Sequence, residues 1–138
     1  MVLDTHALLW LLTDPDSMSD DSLVAIGEAQ NVNKLFVSPI TAWELSIAIN
    51  KRTNAPNIGN VSVKDWYHAG VKEIGGRVVA IGPSIALASS DMIAHTGHRD
   101  PGDCYIIATA KYKKVPIVTR DGIIQNIAST GYVDVVVC

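Results

Sequence analysis

Four acidic residues stand where an acid needs a reason. Asp4 closes a short apolar start, Val2-Leu3, and the chain is apolar again from Ala7 to Leu12. Asp121 follows the apolar run "IVT" by two residues. Glu44 falls among Ile40, Trp43, Ile47 and Ala48, which share one side of a helix at helical periodicity. Asp103 precedes Ile106, Ile107 and Ala110 by three, four and seven residues, so it faces the way they face. Ionised carboxylates are rarely buried without a partner. Clustered ones raise each other's pKa unless a cation neutralises them. Hard divalent cations take oxygen ligands, and Mg²⁺ is held by a few carboxylates and keeps several waters. Such a site polarises a phosphoryl oxygen and activates water, which is the chemistry of phosphodiester hydrolysis.

Each acid also has an ordinary reading. Asp4 suits a helix cap, Asp103 a first-turn dipole position, and Asp121 before Gly122 a turn. Glu44 suits an ion pair with Arg77 or Arg120. The metal reading requires all four to reach one place.

The elements that would bring them there follow from the pattern of apolar runs and caps. Strands are expected at Val2–Leu3, Leu35–Val37, Val78–Ile81, Pro116–Thr119 and Val133–Val137. Helices are expected at Thr5–Leu12, Ser19–Gln30, Pro39 to about Lys51, Ser62–Ile74, Pro83 to about Ser90, Asp100-Pro101 to about Lys113, and Ile123–Ala128. Ser38-Pro39 is an N-cap followed by proline at the first helical position. Ser62 and Asp65 have capping-box spacing, with Gly75 past the helix end. Short apolar strands alternating with helices predict an α/β fold, a mainly parallel sheet covered on both faces. Ligands of such sheets bind beyond the carboxyl ends of the strands. Asp4 and Asp121 both stand at such ends.

The chain has 138 residues, 48% hydrophobic and 18% charged, the composition of one globular domain, 1–138. A net charge of −3 gives no general basic field for nucleic acid, so contact with it must be local or through metal ions. Cys104 and Cys138 form neither a disulfide framework nor a zinc spacing, which suits a reducing cytoplasm. A basic leader is missing, and no apolar run approaches the roughly 20 residues that span a bilayer. "TNAPNIGNVS", Thr53 to Ser62, is a loop too short to divide domains. His95 and His98 have i, i+3 spacing, but no further cluster supports a zinc site.

The pieces "LDTHALLWLL", "SPITAWELSIAINK", "HRDPGDCYIIATA" and "IVTRD", in that order, resemble the PIN-domain ribonucleases, specifically the VapC-type toxins of toxin–antitoxin pairs. The resemblance runs from Val2 to Asp121. It implies a three-layer α/β/α sandwich, with Asp4, Glu44, Asp103 and Asp121 as catalytic metal ligands for Mg²⁺ or Mn²⁺. It also implies endonucleolytic cleavage of RNA, a homodimer, and a cognate antitoxin that blocks the site. Thr119 matches a position that often carries a hydroxyl near the metal. His6 is a further candidate beside Asp4, with packing or capping as its ordinary role. Arg99, Arg120, Lys51 and Arg52 are candidate phosphate contacts.

Close relatives carry a large aromatic residue and an arginine around the third acid, where this chain has Gly102 and Cys104. Gly102 is expected to loosen its helical turn by up to about 1 kcal/mol relative to alanine. The absent arginine removes a phosphate contact. Two alternatives stand beside the nuclease. A phosphatase with Asp4 as nucleophile would need a second acid two residues later, where His6 stands. A non-catalytic interaction module would explain Gly102 and Cys104 but not an intact acidic quartet.

Overall fold

The computed structural model describes all 138 residues. Five short strands form one sheet: β1 (Val2–Leu3), β2 (Phe36–Val37), β3 (Arg77–Val78), β4 (Ile117–Thr119) and β5 (Val135–Val137). Their order is β3-β2-β1-β4-β5, and every pairing is parallel. Seven helices connect them: α1 (Thr5–Thr13), α2 (Asp20–Asn31), α3 (Pro39–Ala48), α4 (Val63–Glu73), α5 (Pro83–Thr96), α6 (Pro101–Lys113) and α7 (Gly122–Ser129). This is the α/β/α sandwich expected of the sequence.

Period-two alternation along the strands builds the layers. Leu3, Val37 and Val118 pack in one core with Ala7 and Leu8 of α1, Ile26 of α2, and Tyr67 and Val71 of α4. Val2, Phe36 and Ile117 turn to the other face, against Met92 of α5, Ile106 and Ile107 of α6, and Ile124 of α7. A residue such as Ile107, fully buried, contributes about 1.5–3 kcal/mol through burial.

The caps form as the sequence requires. The side chains of Ser19, Ser38 and Ser62 accept backbone N–H groups at the starts of α2, α3 and α4. Three boundaries differ from expectation by three residues or more. Helix α5 continues past Ser90 to Thr96, where Gly97 adopts a left-handed φ of 73° and stops it. Buried Met92, with Ile93 packed beside it, ties this extra length to the core. Helix α3 ends at Ala48, before Lys51. Strand β3 covers only Arg77–Val78.

The chain leaves β1 toward β2 on one side, and β4 pairs on the other. The carboxyl ends of β1 and β4 therefore flank a topological switch point, the usual place for a ligand crevice.

Candidate active site

Asp4 follows β1 directly and caps α1. Its Oδ1 accepts the Ala7 N–H at 2.6 Å. Asp121 does the same at the next strand: its Oδ1 accepts the Ile123 and Ile124 N–H groups at 2.8 and 3.0 Å, capping α7. Both ordinary readings thus hold for one oxygen of each carboxylate and leave the second uncommitted to the cap. Thr119, fully buried, accepts the Asp121 N–H at 2.9 Å, and its hydroxyl favours the charged form of Asp4. It braces both acids.

Helix α6 runs back along the sheet and brings its first turn, with Asp103, to the same edge. Asp100 caps that turn by accepting the Asp103 N–H at 3.2 Å. Helix α3 follows β2 and supplies Glu44, whose carboxylate accepts the Thr5 hydroxyl proton. Asp4, Glu44, Asp103 and Asp121 all line one open cavity of about 280 Å³, together with Thr5, His6, His98 and Asp100.

No Lys or Arg lines this cavity. The one ion pair in the chain joins His98 to Asp103, so Glu44 pairs with neither Arg77 nor Arg120. Burial is the main cause that raises the pKa values of Asp4, Glu44 and Asp103. Mutual repulsion adds to it, from Asp121 on Asp4 and from Asp103 on Glu44. A cation would reverse both penalties. As the side chains stand, no three His, Cys, Asp or Glu groups are gathered tightly enough to enclose an ion. The all-oxygen donor set and the uncompensated charge nevertheless fit a hard divalent cation better than zinc.

The other candidates scatter. His6 is exposed at the cavity rim and tilted against Trp10, ring centroids 5.7 Å apart. Lys51 lines an adjoining cleft of about 480 Å³ with Trp10, Trp43 and Ile47, while Arg52 and Arg99 are exposed. Arg120, also expected as a phosphate contact, is engaged by the main chain. Its Nε donates to the Cys138 carbonyl at 2.6 Å, a terminal nitrogen donates to the Ser17 carbonyl, and the guanidinium lies 4.4 Å from the Trp10 ring centroid. It fastens the last strand and the turn after α1 together, outside the cavity lining. His95 stacks on Tyr132, centroids 5.0 Å apart, and makes no pair with His98.

The stripe that drew attention to Glu44 is a correction. Trp43 and Ile47 are 49% and 47% exposed, and the buried face of α3 is Thr41 and Leu45. Glu44 borders the cavity from the edge of the helix. Gly102 is a second. A Cβ there would overlap the Glu44 carboxylate. Alanine would improve the helix by about 1 kcal/mol, but its Cβ would displace the Glu44 carboxylate. Glycine is therefore room for Glu44 before it is looseness in α6. Sequence reasoning passed over Thr5, weighed His98 only as a zinc partner of His95, and read Gly102 only as looseness in α6. The one advance signal for Thr5 was its place next to Asp4.

The PIN domain family model matches residues 1–129, and the chain belongs to that family. Its fold is shared with solved toxin–antitoxin assemblies. VapBC2 from Rickettsia felis, bound to a promoter DNA fragment, aligns at 11% identity and TM-score 0.68, covering 99% of this chain and 97% of that one. A toxin–antitoxin complex from Klebsiella pneumoniae aligns at 19% identity and TM-score 0.61, covering 98% and 94%. DNA-bound VapBC from Salmonella typhimurium aligns at 15% identity and TM-score 0.65, covering 99% and 96%. At these identities the likeness is one of fold. No curated protein sequence matches the chain.

Proposed function

We propose that this protein is a Mg²⁺- or Mn²⁺-dependent endoribonuclease and the toxin of a toxin–antitoxin pair. The observation that carries the reading is the convergence of Asp4, Glu44, Asp103 and Asp121, from four elements, on one cavity with no Lys or Arg. The choice of RNA rests on the motif resemblance. The choice of a toxin rests on that resemblance and on neighbours of the same fold described as VapBC or toxin–antitoxin complexes.

The four carboxylates would hold the ion. When bound, it would supply Lewis acidity at the scissile phosphate and acidify an attacking water. The protein's own part is positional. Thr119 and the Ala7 N–H fix Asp4, the α7 cap fixes Asp121, and Thr5 fixes Glu44. Lys51, Arg52 and Arg99 are proposed to take flanking phosphates. Gly102, which favoured a non-catalytic module by sequence, makes room for an acid here and so no longer supports that alternative.

Association follows from α1. Leu9, Trp10, Leu11 and Leu12 are only half-buried, which leaves an apolar surface for a second copy. Light scattering at micromolar concentration should give twice 14.8 kDa, and a monomer mass there would remove the homodimer.

The enzyme freed of any antitoxin should cut labelled single-stranded RNA with Mn²⁺ or Mg²⁺ and stop in EDTA. Asp4→Asn keeps a residue that caps well but loses the charge. It should retain the fold and cut on the order of 100-fold more slowly, or less still. Cleavage by Asp4→Asn at the wild-type rate would sink the reading.

A further inference from the structure

We propose that Gly102 is a positioning residue, conserving at the first turn of α6 a seat in which the Glu44 carboxylate lies beside Asp103. The inference deepens the metal-site reading above and rests on it for its functional part.

Two observations place the seat. Gly102 is buried, one residue before Asp103, and a Cβ built on it would run into the Glu44 carboxylate. The Thr5 hydroxyl, on α1, donates to the other side of that carboxylate. Glu44 is thus held between two helices from different layers of the sandwich. A Cβ at Gly102 would meet the Glu44 carboxylate, so that carboxylate sits against the first turn of α6, and Glu44 with Asp103 forms the natural pair to share one cation. Any larger residue at position 102 must push Glu44 out of this place.

The seat also explains why a glycine is tolerated inside a helix. Gly27, in α2, has nothing within 4 Å of a built Cβ and is the matched control.

The test is a double-mutant cycle read by thermal unfolding in EDTA, on wild type, Gly102→Ala, Glu44→Ala and the double variant. With Glu44 present, Gly102→Ala should give little or no rise in melting temperature, because its Cβ displaces the Glu44 carboxylate. With Glu44→Ala, the same change should raise it, because alanine then gains its helical advantage without a clash. Should Gly102→Ala alone fail to fold, recovery of a folded double variant gives the same answer. Equal effects of Gly102→Ala in both backgrounds would overturn the seat.

Mn²⁺ titration calorimetry supplies the functional arm. Gly102→Ala should bind Mn²⁺ at least about tenfold more weakly, with Gly27→Ala unchanged. Wild-type affinity in Gly102→Ala would overturn the positioning role. If wild type itself binds no Mn²⁺ and cuts no RNA, the nuclease reading falls and the positioning role with it, while the thermal cycle still decides the seat.

Discussion

His98 Nε2 stands 2.7 Å from Asp103 Oδ2, across the turn that opens α6. The loop sets the direction of the ring. Gly97 ends α5 in a left-handed conformation, the His98 N–H donates to Thr96 Oγ1 at 3.2 Å, and the His98 carbonyl accepts from Cys104 Sγ at 3.5 Å. The hydrogen bond from His98 favours the charged form of Asp103 and works against the burial that raises its pKa. Cys104 is buried and supports this loop.

His98→Ala should therefore weaken Mn²⁺ binding by about tenfold, in the range of an orienting partner behind a ligand. His98→Gln, which keeps an N–H donor, should recover part of the loss. Calorimetric titration reads both. Tighter binding in His98→Ala would mean that the imidazole competes with the ion for Asp103.

The metal-free protein should lose stability as pH rises. Asp4, Glu44 and Asp103 have ordinary values of 3.8, 4.5 and 3.8, and burial raises all three in the folded state. A carboxylate with a raised folded pKa binds its proton more tightly when folded. Its contribution is full below the ordinary value and is lost as pH climbs through the raised one. Melting temperature in EDTA should fall from about pH 4.5 toward neutrality, and Asp4→Asn should flatten the fall. Excess Mn²⁺ should restore the loss at pH 7 by mass action. A metal-free melting temperature that rises over this interval would contradict the electrostatic strain.

Arg120→Ala should cost stability rather than substrate affinity. The guanidinium makes two bonds to main-chain carbonyls and stacks on Trp10, but it is exposed, so about 1–2 kcal/mol is expected. That corresponds to a fall of roughly 4–8 °C in melting temperature. The KM for RNA should stay near the wild-type value. A large rise in KM with unchanged melting temperature would return Arg120 to the phosphate.

The layers were legible because buried parallel strands read as short apolar runs, and because Ser38, Ser62 and Pro101 announce helix starts in purely local terms. What was missed is tertiary. Helix α5 passes through "SSD", a weak local signal, because Met92, with Ile93 packed beside it, is held by the core. Periodicity marked a stripe on α3 but could not say which face meets the sheet, since apolar residues occur on several. Gly102 looked like a defect because its reason lies 58 residues away in Glu44. Arg120 looked available because its partners are main-chain carbonyls, which leave no trace in side-chain pattern.

The central place of β1 has a consequence in time. Strand β1, and Asp4 with it, has β4 as one of its two neighbours, and β4 lies far along the chain from it. Long-range pairing of this kind is slow and is completed only after intervening chain is available. Asp121 and its brace Thr119 arrive with β4. A chain still lacking them has neither the Thr119 hydroxyl beside Asp4 nor the full set of carboxylates. The acidic cavity therefore assembles only after β4 has emerged and paired with β1.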